Sequence, residues 1–544
     1  MSITQRLPKN RTNKQRRNIT VNFPAPIGGL NARDALDTMP PTDCVQIENI
    51  NPLEGYMQWR NGYTVAEASG ITSGATIQTL FEYSDSSVQW HIAADSATIY
   101  RLDVAGVNTL ASGFTEGRWD WVNFGGYGIM VNGADAPQYI KSGTAATIPV
   151  IIGTSGFTIK RGATVSAGSV ATASTFIGVH AHRSHLYFWQ DDSQSVFYGG
   201  VNEIFPEIEE FPMDRVATLG GKLLAVGSWS VSGAANAAAG GSFQDVIVFA
   251  FDTGELLVYE GDDPGSNFAL LGVYRTGRPL GRDCMVEVAD DLLIATEDGL
   301  TPLTQVLQAG RASRSSLVSD KIRGAWIDDA SEYFDNVGWQ VLYYPKKNFV
   351  IVNIPVRPIE TADTGNARYD QWMYNLNVGA WTRWTNHPSA VWGIYAGNLY
   401  FGGADSGNVL QADTTQTDNG SPIDGFFRQA YQRAETRAHV NAIQPAVWTD
   451  GSPTIQIGCE TAFQSSTKYL VTYQPTPPGA TWDQIDIDWD LWETPWGSDD
   501  AAIIQNWKAI VGRGDSINVR FFCRASDALR VYGTDVELEQ ASGF

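Results

Sequence analysis

The chain has 544 residues, 43% of them apolar, and a formal charge of −22. That length exceeds one ordinary hydrophobic core, so two or more lobes or a repeat architecture are required. A body this acidic repels nucleic acid at long range, and no run of 18 uncharged apolar residues is present to form a membrane-spanning helix.

Taken in chain order, the first 20 residues hold Arg6, Lys9, Arg11, Lys14, Arg16 and Arg17 and no acid. This composition predicts a flexible basic arm whose side chains could bind an acidic partner surface or DNA. No apolar segment follows the first Met, which predicts no secretory signal. Residues 21–69 read as an extended docking arm. Five prolines keep Phe23 to Pro52 out of helix, and Gly28-Gly29 permits a sharp turn.

From 70 to 413 the pattern is short strands and tight turns. Ile77–Tyr83, Val88–Ala93 and Thr98–Leu102 are followed by Trp119–Phe124, Tyr127–Asn132 and Gln138–Lys141. His185–Gln190, Val196–Gly199, Lys222–Gly227, Val246–Phe251, Leu256–Glu260 and Asp291–Thr296 continue the series. It ends with Trp372–Asn375, Trp381–Trp384, Val391–Tyr395, Leu399–Gly402 and Val409–Ala412. Short strands with an Asn or Gly turn and an aromatic in each describe propeller blades, and the length predicts about six. A sandwich would use similar strands; radial repetition absorbs this length in one unit. Gly143–Thr175 reads as a loop or small inserted hairpin, and Ser228–Gly241 as a low-complexity loop. One helix is predicted, capped by Ser319, with Ile322, Trp326 and Ala330 on one face. Residues 414–544 predict a second, β-rich domain. In it, Ile485, Ile487, Trp489 and Leu491 alternate with Asp486, Asp488 and Asp490 as a half-buried strand with a carboxylate face. Ile517–Phe522 and Val531–Leu538 read as closing strands.

Few constellations point to chemistry. His180 and His182 would share one face of a strand and His185 the other, with no Cys or Glu nearby to complete a metal shell. Asp486, Asp488 and Asp490 resemble a calcium loop but lack its glycine and terminal Glu, so they are a candidate acidic surface. Arg513-Gly514-Asp515 fits a turn between strands, and Asn18-Ile19-Thr20 has no use as a glycosylation acceptor without a signal peptide. There is no nucleophile elbow and no phosphate loop. Cys44, Cys284, Cys459 and Cys523 have neither metal nor redox spacing, which predicts free thiols and a cytoplasmic folding history.

The segment Pro24-Ala25-Pro26-Ile27-Gly28-Gly29-Leu30-Asn31-Ala32-Arg33-Asp34, continued through Met39-Pro40-Pro41-Thr42-Asp43 to Gly55-Tyr56-Met57-Gln58-Trp59-Arg60-Asn61-Gly62-Tyr63, resembles the opening of the tail nozzle (tail tubular) proteins of short-tailed bacteriophages. His180–Trp189 with Val196–Val201, Phe251–Tyr259, Gly272–Arg282 and Asp298–Pro302 resemble later parts of those proteins in the same order. The resemblance covers residues 24–413 and is loose beyond them. It implies a homohexameric ring at the distal end of a short tail, below an adaptor ring, with tail fibres or spikes as further neighbours. It implies a β-propeller on the outside, an axial channel that viral DNA passes without specific binding, no enzymatic activity and no cofactor. The location implied is the virion tail, assembled in the host cytoplasm. The basic segment 1–20 would tie the subunit to its neighbours or to the adaptor. Carboxylates lining the channel would keep DNA off its wall, where basic groups would hold it. Two other classes stay open: a carbohydrate-binding or carbohydrate-cleaving propeller, and a tail fibre or receptor-binding protein.

Overall fold

The computed structural model describes residues 18–67, 71, 75–104, 106–142, 149–153, 158–161, 164–166, 175–204, 207–231, 244–288, 291–310, 317–358, 367–404, 406–461, 463, 470–475 and 503–540. The protein is mainly β, a propeller with a second β-rich unit. The chain divides into two compact units: residues 30–33 with 60–422, and residues 1–29 and 34–59 with 423–544.

Among the described residues, the larger unit contains seven blade sheets. Four of them, within 79–112, 120–153, 223–275 and 340–384, have four strands each; the sheet within 158–212 has six and that within 285–302 has three. The last blade pairs Ser389–Tyr395, Asn398–Gly403 and Val409–Ala412 in turn, and Tyr63–Glu67 joins its outer edge antiparallel to Val409–Ala412. The first strand of each blade touches a strand of the next, and Ser389–Tyr395 touches Thr79–Ser84, so the ring closes. Aromatic and branched side chains fill the spaces between blades: Phe81, Tyr83, Trp90, Trp119 and Met130 between the first and second, Tyr139, Phe176, Leu186 and Phe188 between the second and third, Tyr187, Trp189, Phe249 and Tyr259 between the third and fourth. The length predicted about six blades. Seven fit because blades are compact: among the described residues the fifth has three strands, followed by the helix Leu303–Ala309, and the last borrows a strand from upstream.

The predicted helix forms over Arg323–Tyr333, after a 3-10 turn at Asp320–Ile322, and buries Ile322, Trp326 and Ala330. Ser319 does not cap it. Its Oγ instead accepts the Leu300 N–H at 2.9 Å, because Ser319 is fully buried against the fifth blade. Where the ring closes, Arg60 is 1% exposed and holds Asp418 through two N–H donors at 2.8 and 2.6 Å, with Nη2 also on the Thr385 carbonyl at 3.0 Å. One guanidinium thus joins the segment before the closing strand, the segment after the seventh blade and the end of the sixth.

In the smaller unit, Asn18–Pro24 pairs antiparallel with Leu529–Gln540 along its whole length, and Leu529–Gln540 pairs on its other side with Gln432–Thr449. Gln432–Thr449 pairs with Lys508–Ala525, which pairs with Ile455–Thr461 and with Ser421–Gln429. Asp43–Glu48 lies against Ser421–Gln429, and the hairpin Ile50–Leu53/Tyr56–Trp59 meets Leu529–Gln540 at Met57. The segment expected to dock does so on its own chain: residues 21–29 and 34–59 supply strands to the same sheet system as strands beyond 422, where backbone pairing satisfies their donors and acceptors. The basic arm likewise ends earlier than predicted, since Asn18–Thr20 belong to the first strand. The unit boundaries lie at 59/60 and 422/423, against predicted ones at 69/70 and 413/414, because Tyr63–Glu67 belongs to the propeller. Trp59 is buried, donates to the Cys523 carbonyl at 3.3 Å and lies so close to Gly425 that no side chain fits at that glycine.

Within Gly143–Thr175, strand pairing appears at Pro149–Gly153 and in the hairpin Thr158–Arg161/Thr164–Ser166. The expected closing strands lie inside longer ones, Lys508–Ala525 and Leu529–Gln540. All four cysteines are buried free thiols; burial pushes Cys284 and Cys523 up to about 12.

Candidate functional site

The histidines sit on one hairpin. Phe176–His182 and His185–Gln190 are joined at Arg183-Ser184, both with positive φ, and His182 faces His185 across the strands. The sequence placed His185 on the opposite face from His180 and His182; the chain turns back at 183–184, so the alternation does not run through. Each ring already has a partner. His180 Nε2 meets Ser228 Oγ at 3.0 Å, His182 Nε2 donates to the Gly261 carbonyl at 3.3 Å, and His185 Nδ1 donates to the Gly199 carbonyl at 2.7 Å. Burial pushes His180 down to about 4, with His182 adding to it, and burial also lowers His182, so both are neutral near pH 7. Among the described residues no three His, Cys, Asp or Glu side chains are grouped so as to hold a metal ion.

Beside this hairpin lies a pocket of about 380 Å3, lined by His185, Tyr198, Glu203, Glu209 and Asp263 with Gly199, Gly200 and Gly265. Tyr198 Oη donates to Glu209 at 3.0 Å; burial and that carboxylate push the phenol up to about 12, so it stays a donor. Asp263 accepts the Gly265 N–H at 2.8 Å and the Ser266 hydroxyl at 3.0 Å, which fixes its carboxylate. A side chain at Gly200 would come within 2.7 Å of the Glu203 carboxylate and would push that exposed side chain aside. The arrangement can hold positive charge. No Ser, Thr, Cys or Lys is among the described residues that line it. Sequence reading missed this pocket because its acids lie at 203, 209 and 263, far apart in the chain. The available signals were the Gly199-Gly200 and Asp263-Pro264-Gly265 turns.

A second charged cluster lies where inner strands of the ring begin. Asp120 accepts the N–H groups of Val179 at 2.9 Å and Trp121 at 3.0 Å, and Arg282 donates to the Ile177 carbonyl at 3.0 Å, reaching from the fifth blade to the third. Burial first, then Asp283, pushes Asp120 up to about 7, against the opposing pull of its backbone donors and Arg282. A raised carboxylate means that the folded state holds the extra proton. The stability it brings is fully present below the ordinary value of 3.8 and is lost as pH rises through about 7. Asp120→Asn should therefore flatten the fall in melting temperature between about 4 and 7; a slope equal to that of the unaltered protein would contradict this assignment.

Arg6, Lys9, Arg11, Lys14, Arg16 and Arg17 lie outside the described residues, as do Asp486, Asp488 and Asp490 and the strand expected around them. No family model and no curated protein matches the chain. Among solved structures, it is similar to BBS1N in complex with ARL6DN, at 9% identity over 66% of this chain and 99% of that one, with a TM-score of 0.37. It is also similar to Sqt1 of Saccharomyces cerevisiae, at 8% identity over 65% and 98%, with a TM-score of 0.36. The propeller is established here by the order and closure of its own sheets.

Proposed function

We propose that the chain is a structural subunit of the tail nozzle of a short-tailed bacteriophage, acting as a homohexameric ring that retains DNA and forms the channel for its ejection. The observation that carries this reading is the order of the nozzle-like motifs along 24–413. The first of them, Pro24–Tyr63, runs through the segment that knits the N-terminal strands to the C-terminal ones and then closes the propeller. The net charge of −22 suits a channel that must not hold phosphates. An adaptor ring above and fibres or spikes at the side are the neighbours this reading requires.

Native mass spectrometry of the full-length protein tests the assembly. The expected species is a hexamer, alone or on addition of the adaptor. A stable trimer would favour a fibre, and a monomer that binds glycans would favour a carbohydrate-recognising propeller.

A further inference from the structure

We propose that the strand closing the propeller, Tyr63–Glu67, is an acid-sensitive latch that protonation of His387 releases. Such a latch belongs to the propeller itself and operates whether or not the chain forms a nozzle.

His387 lies between the last strand of the sixth blade, Ala380–Trp384, and the first of the seventh, Ser389–Tyr395. It is 1% exposed. Four rings box it in: Tyr63, Trp384 and Phe401 with centroids at 5.6 Å, and Trp392 at 5.5 Å. The walls of the box therefore come from the closing strand, the sixth blade and two strands of the seventh. His387 Nδ1 is buried there and meets no hydrogen-bond partner.

A neutral imidazole can sit among these rings. An imidazolium carries an N–H on each ring nitrogen, and the one at Nδ1 would face no acceptor. Burying that charge unpaired is far less favourable than burying the neutral ring. The ionisable groups of the seam do not relieve it. Arg60 brings a second positive charge to the ring, and its two N–H donors already hold Asp418. Tyr63 is the titratable wall; burial, and then Asp418, push its phenol up, so it stays neutral. Burial, and then Arg60, hold His387 well below its ordinary 6.5.

The sign follows from that direction. The stability of the closed seam is fully present above 6.5 and is lost as pH falls below it, because the opened form takes the proton that the closed form refuses. Water reaches Nδ1 only when a wall moves. Tyr63–Glu67 is the wall that can: it is the outer edge of its blade, lying along Val409–Ala412.

The test is hydrogen exchange of the full-length protein read by mass spectrometry, with the intrinsic pH dependence of exchange divided out. Below 6.5, protection of the amides at 63–67 should fall about ten-fold per pH unit. His387→Phe and His387→Leu keep the box apolar without the titrating nitrogen, and both should give a level profile. His91→Phe alters the histidine stacked on Tyr395 and Tyr400 of the same blade and should keep the slope of the unaltered protein. A level profile in the unaltered protein overturns the proposal. So does a loss that begins only below about pH 4.5, where carboxylates such as Asp418 take up protons. An equal loss in the His387 variants, or a slope abolished by His91→Phe, overturns it as well. Should neither variant at 387 fold, the pH of onset together with the His91→Phe profile decides.

Discussion

Arg60→Ala should cost the propeller about 3–5 kcal/mol, the range for removing one partner of a buried ion pair. The side chain of Arg60 is 0% exposed and that of Asp418 is 9% exposed, so the variant leaves a carboxylate in a place water barely reaches. It also strips a donor from the Thr385 carbonyl. The loss falls at the seam of the ring, where Tyr63–Glu67 completes the seventh blade. Guanidinium unfolding followed by tryptophan fluorescence should show an earlier propeller transition, and amides of 63–67 and 409–412 should exchange faster. Arg60→Lys should recover only part of the loss, because an ammonium cannot make both parallel bonds to Asp418 while holding Thr385. Arg60→Met with Asp418→Leu should be milder than either single change, since it leaves no buried charge alone. Unchanged exchange at the seam in Arg60→Ala would show that closure does not depend on this pair.

Glu460→Ala should be comparably severe in the smaller unit, again about 3–5 kcal/mol. Arg428 and Arg520 stand directly opposite one another on neighbouring strands, a like-charge pairing that is unfavourable by itself. Glu460, 1% exposed, lies between them: it takes Arg428 Nη2 at 2.7 Å, Arg520 Nη1 at 3.3 Å and the Tyr431 hydroxyl at 3.3 Å. Removing it exposes two guanidinium groups to each other. Arg428→Met should cost less, because Arg520 still neutralises the carboxylate and its guanidinium also lies over the Phe426 ring at 4.8 Å. The comparison of the two unfolding midpoints is the check. A larger loss for Arg428→Met than for Glu460→Ala would mean that packing, not charge balance, dominates at this site.

Local signals in the chain carried most of the propeller. His185–Gln190, Asp291–Thr296 and Val409–Ala412 form with the bounds that alternation and turn residues indicate. What was not legible depends on partners distant in sequence. Ala269–Arg275 is an outer edge strand whose Leu270, Leu271 and Val273 are exposed, so it has no buried-face alternation to read. The place of residues 18–59 in the smaller unit is set by pairing with residues beyond 420, and nothing local announces such a pairing. The turn at Arg183-Ser184 was missed for a chemical reason: it adopts positive φ at two residues without the Gly or Asn that normally marks such a turn. Arg60 looked like any arginine in a polar stretch, since its acid lies at Asp418. Glu460 was one of 59 acids until the fold set two arginines around it.

The nozzle reading is tested most directly by quantitative peptide mass spectrometry of purified virions, with this protein measured against the portal protein. The account expects it to be present at about half the portal's copy number, as a closed six-fold ring on the portal's higher symmetry requires. Its absence from virions, or a trimeric stoichiometry, would contradict the account.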